Sequence, residues 1–280
     1  MLYSLDAFYL THIDPSGRSV SHSPSVVRLL IQTRGERKEQ HPWPIVPSLI
    51  SRWSSASCGR QRRSTRPCLP WRWPFREIAA TLDEISGGRF ILGLGAGWHQ
   101  PEYDAFGYPF DHLASRFEEA LQVIVPLLRQ GQVDFQGHYY QVRNCVLRPR
   151  GPSPLGPPIW IGACSPRLLH LAARYADGWK TAWHSDTAAV KERYEQFKEV
   201  CAAVGRDPTL IALTAGIRVR LLSSGEDTRA APVLSGSAED TAGRLQSFAE
   251  VGVTHLIVAL EPKGLVGIEQ FARILELLHQ

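Results

Sequence analysis

Long apolar runs are missing from this sequence. No stretch approaches the ~18 consecutive apolar residues of a membrane span, so a membrane protein is not expected. Residues Met1–Arg18 carry Asp6, His12 and Asp14 with no apolar core ahead of a small-residue cleavage site, so a secretory signal is not expected either. Cysteine is sparse: Cys58, Cys68, Cys145, Cys164 and Cys201 are odd in number, widely spread and free of any CxxC or Cys/His cluster. That excludes a disulfide framework and a zinc site as expectations and makes a reducing cytoplasm the natural location. The spacing Gly93-x-Gly95-x-Gly97 is wrong for the GxGxxG dinucleotide fingerprint.

What is present is an ordinary globular composition, 44% hydrophobic and 21% charged over 280 residues. That length is close to the roughly 250 residues of a single (β/α)₈ barrel and suffices for a large core. The net charge of +4 is uneven. Residues 1–75 hold eleven Lys/Arg against four acids, +7, which leaves −3 for the remainder. A basic arm can mark nucleic-acid binding, but these arginines follow neither helical nor strand spacing and accompany no recognition motif, so no nucleic acid is expected.

From Glu77 onward, helical and strand patterns alternate. Ile78, Leu82 and Ile85 are spaced as one helix face, stopped by Gly87-Gly88, and the strand Arg89–Gly95 follows. A long helix carries Leu113, Phe117, Leu121, Ile124 and Leu128, contains Pro126, where a kink is expected, and closes at Gly131. Val133–Val142 reads as a hairpin turning at Gly137, and a Pro/Gly-rich connector leads to the strand Pro158–Gly162. Helix Pro166–Tyr175, strand Trp179–Trp183, a helix marked by Val190, Tyr194, Phe197, Cys201 and Val204, and strand Ile211–Leu222 continue the alternation. Ser237 and Asp240 suggest a capping box, followed by strand Thr254–Leu260 and a last helix through Leu278. Five strands and six helices in alternation predict a parallel α/β sheet. A (β/α)₈ barrel with strands four to eight recognisable is the expected fold, and a doubly wound open sheet is the alternative.

Residues 1–75 lack this grammar. They hold twelve serines, eight prolines and four tryptophans. The chain therefore divides into an anomalous N-terminal segment, 1–75, and barrel units, 76–280. The segment has about the length that barrel units one to three need. It reads either as a divergent arm or as a shifted reading frame, with the true frame resuming near Phe75.

Several segments carry a family likeness: Ala79–Phe90, Leu92–Trp98 with Pro101–Gly107, Asp134–Tyr140, Leu147–Arg150, Pro157–Gly162 and Leu171–Trp179. In order and spacing this stretch of roughly 200 residues resembles the bacterial-luciferase-like monooxygenase superfamily, oxidoreductases that use reduced FMN or the deazaflavin F420. The resemblance implies one of two reactions on a small organic substrate: oxygenation with FMN and O₂, or hydride transfer with F420. The overall pattern leans slightly toward F420. Many relatives are dimers, so a homodimer is an expectation. The alternative is a non-catalytic or defective barrel, motivated by the abnormal N-terminal third.

Candidate site residues follow from where βα loops fall, since barrel active sites lie at the C-terminal ends of the strands. Gly162-Ala163-Cys164-Ser165 is such a loop. The small residues let a flat ring approach the backbone, and Ser165-Pro166 reads as a helix start whose free N–H groups suit a cofactor phosphate. Family members often place paired glycines here, so Ala163 and Cys164 depart from the pattern, and an ordinary strand-to-helix turn is the bland reading. Trp98 and His99, leaving the first recognisable strand, are the catalytic candidates. Trp98 would wall the ring pocket, and His99 would hydrogen-bond a carbonyl or move a proton; a solvated loop histidine is the alternative. Glu102 and Tyr103 are expected to orient that loop. Thr181 and Ser185 are candidate phosphate hydroxyls, because Ala182 stands where the family commonly has one. Trp183 is the candidate substrate contact, with core packing as its alternative.

Overall fold

A computed structural model describes residues 28–32, 74–221, 233–262 and 264–278. The expected strands form as β2 (Leu92–Leu94), β5 (Ile159–Gly162), β6 (Gly178–His184), β7 (Ala212–Leu221) and β9 (His255–Glu261). Two strands were not anticipated: β1 (Arg28–Gln32) and β8 (Leu234–Gly236). The sheet runs β1-β9-β7-β6-β5-β2, parallel throughout, with β8 added beside β7. Strand β1 corrects the reading of the N-terminal segment, which assigned no strand there. It pairs with the last strand in the register Arg28↔His255 to Gln32↔Ala259, the position the first strand of a (β/α)₈ barrel takes. Among the described residues the sheet is an arc with edges at β1 and β2, and no strand joins them. Apart from β1 and the first residues of helix α1, the segment 1–75 lies outside the described residues, and with it the reading-frame question.

The helices are α1 (Pro74–Ser86), α2 (Gln100–Ala105), α3 (Leu113–Gln130), α4 (Pro166–Tyr175), α5 (Thr187–Ala203), α6 (Ala238–Glu250) and α7 (Leu265–Leu278). Their ends follow the sequence signals. Gly131 caps α3 in the left-handed region, φ 81°, donating its N–H to the Leu127 carbonyl. Ser237 and Asp240 close the predicted capping box on α6. The hairpin forms as β3 (Gln132–Gln136) and β4 (Gln141–Val146). Its turn is held from α3: the Glu119 carboxylate accepts the N–H groups of His138, Tyr139 and Tyr140 at 2.7, 2.7 and 3.0 Å.

One helix face was misread. On α1, Ile78 and Ile85 are 50% and 75% exposed, whereas Ala79, Ala80 and Asp83 are buried. Small side chains let α1 approach its neighbours. Asp83 turns inward because its carboxylate accepts the Ser153 hydroxyl at 3.2 Å, and apolar spacing alone does not show that bond.

The core lies between helices and sheet. Trp179 of β6 stacks on Phe197 of α5 with ring centroids 4.1 Å apart, and its indole N–H donates to the Ala163 carbonyl at 3.0 Å. Both rings are buried, and burying such side chains contributes about 1.5–3 kcal/mol each. At the N-terminal ends of the strands, Asp177 accepts the Ile159 N–H at 2.7 Å and pairs with Arg129, which also donates to the Pro157 carbonyl at 3.2 Å. This clamp ties α3 to β5 and β6 on the face opposite the C-terminal strand ends. No helix among the described residues is long and apolar enough to cross a membrane.

Candidate active site

Strand alternation sorts residues between the helix side and the inner face of the sheet. Trp179 faces α5, so Gly178 and Lys180 face inward. A Cβ on Gly178 would lie 2.5 Å from the Trp160 ring, which places Trp160 and Gly162 on the same face. On β7 the inward residues are Thr214, Gly216, Arg218 and Arg220, and on β9 His255, Ile257, Ala259 and Glu261. The floor is apolar: Trp160 and Ile257 pack with Ile91, and the Trp160 and His255 rings meet edge to face at 4.7 Å.

Above that floor the alternation of β6 breaks. Lys180 pairs with Thr214 and Trp183 with Gly216, so Thr181 and Ala182 together oppose the single residue Ala215 and form a β-bulge. Without the extra residue Trp183 would point toward the helices. With it, Trp183 joins Lys180 on the inner face and lies against Gly216, whose Cβ would stand 3.0 Å from the ring. The Lys180 ammonium lies 5.2 Å and the Arg218 guanidinium 5.4 Å from the Trp183 ring centroid. Thr214 is fully buried and its hydroxyl has no hydrogen-bond partner among the described residues. Glu261 accepts from Arg220 at 2.9 and 2.8 Å.

Thr181 is buried and engaged internally. Its hydroxyl donates to the Thr214 carbonyl at 3.2 Å and sits 2.9 Å from His184 Nε2. With the hydroxyl proton on the carbonyl, the second bond is donated by His184 Nε2–H; the opposite tautomer reverses that bond. Burial holds the His184 pKa below its usual value of 6.5, with Asp186 opposing and Arg193 reinforcing, which agrees with a neutral ring. Thr181 therefore pins the bulge that aims Trp183.

The other expected residues fall at the C-terminal strand ends with unequal roles. Gly162 is open toward the inner face, where a Cβ would meet only the Leu94 carbonyl at 4.0 Å, and Gly95 has nothing within 4 Å. Ala163 is buried in backbone pairing, donating to the Lys180 carbonyl at 3.4 Å. Cys164 is exposed, and its carbonyl accepts from Arg193 at 3.1 Å. Ser165 is the N-cap of α4, with Pro166 next and no side-chain cap bond; the first turn carries no acid. Its free N–H groups and positive dipole end face solvent near Gly162. Helix α6 differs, with Glu239 and Asp240 in its first turn and Asp240 closing its capping box. Ser185 donates to Asp186, the N-cap of α5.

Trp98 and His99 stand on the neighbouring loop, after the edge strand β2. Trp98 is 82% exposed, and His99 lies 3.5 Å from Glu102. Tyr103 orients the loop as expected, its hydroxyl donating to the Ala96 carbonyl at 2.7 Å. Gly97 has φ +84°, and a Cβ there would lie 2.0 Å from that hydroxyl, so only glycine fits. Lys180, Thr214, Gly216 and Arg218 come together on this face through register and bulge rather than through any local pattern.

The family model for luciferase-like monooxygenases matches residues 69–232, more than half of the chain. The chain belongs to the luciferase-like monooxygenase family. It is 37% identical over 158 residues to the pyrimidine monooxygenase RutA of Methylobacterium radiotolerans, covering 52% of this chain and 39% of that protein. To the Escherichia coli RutA it is 33% identical over 133 residues, covering 42% and 34%. The chain thus spans well under half the length of these curated relatives. Among solved structures, an F420-dependent secondary alcohol dehydrogenase with an F420–acetone adduct superposes with TM-score 0.60 at 18% identity, over 73% of this chain and 74% of that one. The long-chain alkane monooxygenase LadA gives 0.60 at 16% identity, over 74% and 65%. These structural likenesses establish the fold.

Proposed function

We propose that this chain is an oxidoreductase that holds FMN or F420 at the C-terminal ends of β2, β5, β6 and β7 and acts on a small organic substrate. The observation that carries the reading is the open glycine wall of Gly95 and Gly162, beside a helix start with free N–H groups and no acid. This combination fits a flat ring with an anionic tail. Gly162 and Gly95 admit the ring, Trp183 lies against it, and the N–H groups following Ser165 take the phosphate. Thr181 serves at one remove by keeping Trp183 aimed. Bound there, a flavin-type cofactor supplies a two-electron redox centre. The chain's own residues bind, orient and exclude water, and His99 on the adjoining loop is the residue assigned to hold or move a proton. A (β/α)₈ barrel completed between β1 and β2 is the architecture this reading assumes.

Titration of the purified chain with FMN and with F420, followed by cofactor fluorescence, tests the reading. Saturable binding of one of them, weakened at least tenfold by Gly162→Val, is the expected result. Absence of binding by both overturns it and favours the non-catalytic alternative that the unusual N-terminal third suggests.

A further inference from the structure

Among the described residues, the inner face carries more positive charge than its carboxylates balance. Arg220 is matched by Glu261, but neither Lys180 nor Arg218 has a carboxylate partner among the described residues; each lies against the Trp183 ring. The indole faces both cations and offsets part of their desolvation, yet a ring quadrupole does not neutralise two charges. Beside Lys180 in register stands Thr214, fully buried, its hydroxyl without a hydrogen-bond partner among the described residues. A buried unsatisfied hydroxyl is uncommon in folded proteins and calls for an explanation. Two unpaired cations and an orphan O–H donor gathered on one glycine-lined face are three deficits of one kind: each lacks an acceptor oxygen.

We infer that Lys180, Arg218 and Thr214 form an oxyanion subsite, and that its ligand is the carboxylate of a planar organic substrate stacked near Trp183. The assignment rests on the redox reading above, since it places the substrate beside the proposed cofactor position. A carboxylate has two oxygens and about four lone-pair directions, enough to accept from Lys180, Arg218 and Thr214 together. The ring of such a substrate packs beside the Trp183 indole, which itself covers Gly216. The cofactor phosphate has its own position at the start of α4, on another loop, so it does not use these groups. Burial pushes the Lys180 ammonium down from its ordinary value, with the Cys164 thiol opposing, and an incoming carboxylate reverses that penalty.

The test compares benzoate, its neutral isostere benzamide and inorganic phosphate as probes of the full chain by titration calorimetry, at fixed ionic strength. FMN and F420 titrations run in parallel. Benzoate is expected to bind at least tenfold more tightly than benzamide. Lys180→Met and Arg218→Met are each expected to weaken benzoate tenfold or more, with Lys180→Arg retaining affinity within threefold. The comparison of benzoate with benzamide needs no variant, so it decides the matter even if a substitution unfolds the chain. Equal affinity for the two overturns the subsite; if FMN or F420 still binds, the redox reading survives that failure. Phosphate binding that depends on Lys180, without benzoate binding, assigns the cations to a phosphate and overturns the substrate carboxylate. Lys180-dependent benzoate binding with neither cofactor bound upholds the anion site and removes its redox setting.

Discussion

Adding one methyl group at Gly178 tests how the inner face is built. The substituted carbon would lie 2.5, 2.6 and 2.9 Å from three atoms of the Trp160 ring. Trp160 is 7% exposed, packed on Ile257 and Ile91 and edge-on to His255 at 4.7 Å, so it cannot swing away. Overpacking of this kind costs about 1–3 kcal/mol, and contacts this short belong at the upper end. Loss of glycine's unfolded-state freedom returns ~0.4–1 kcal/mol. A net loss of about 2 kcal/mol is expected for Gly178→Ala, which lowers Tm by roughly 4–8 °C in a domain of this size. Gly216→Ala makes the same addition against another tryptophan, at 3.0 and 3.1 Å. Trp183 is only half-buried and can tilt, so this variant should melt within about 2 °C of the unaltered chain while weakening benzoate and cofactor binding. Urea unfolding with an unchanged m-value, together with thermal melting, measures both. If Gly178→Ala melts unshifted, Trp160 does not occupy the inner face as described.

Three further outcomes are expected. Thr181→Val keeps the shape but removes the hydroxyl that His184 Nε2 and the Thr214 carbonyl both bond. It should cost about 1–3 kcal/mol and weaken cofactor binding as Trp183 loses its aim; unchanged cofactor affinity would separate the bulge from the site. His184 has its pKa lowered by burial, so the unfolded chain binds the proton more readily. Its stabilising contribution is complete above pH ~6.5 and is lost as pH falls from there toward the folded-state pKa. A His184→Asn variant should flatten that acid limb of the Tm profile, and an undiminished slope would exclude His184 as its source. Glu119→Ala strips the acceptor from three hairpin N–H groups. Roughly 1–3 kcal/mol of local stability should disappear, read as faster amide exchange at His138, Tyr139 and Tyr140, while the exchange of β6 and β7 amides stays protected.

Much of the fold is legible locally because its signals are local. Helix α4 could be bounded from Ser165-Pro166 at one end and the Asp177-Gly178 break at the other. The capping box on α6 and the glycine stop after α3 depend on four or five neighbouring residues. The loop after β5 could be placed at the strand ends because alternation of strand and helix orders the βα loops. Strand β1 escaped notice because its five residues have no following helix pattern to frame them. On α1 the evenly spaced Ile78, Leu82 and Ile85 outweighed Ala79 and Ala80, although small residues are what let two helices approach closely.

The sequence by itself determined the family, the alternation of elements and the loop that starts α4, since each is written in consecutive residues. Only the tertiary structure decided which side chains share the inner face. The two-residue step of a strand turns Trp183 away from Lys180, and nothing in Lys180-Thr-Ala-Trp183 announces the extra residue that turns it back. That bulge exists in the pairing of β6 with β7, held by the bond from Thr181 to the Thr214 carbonyl. Arg218 comes from a strand 35 residues past Trp183 and reaches the same ring because β7 lies beside β6. Register across strands is a property of the assembled sheet, which is why the cations, the orphan hydroxyl and the tryptophan became one site only in three dimensions.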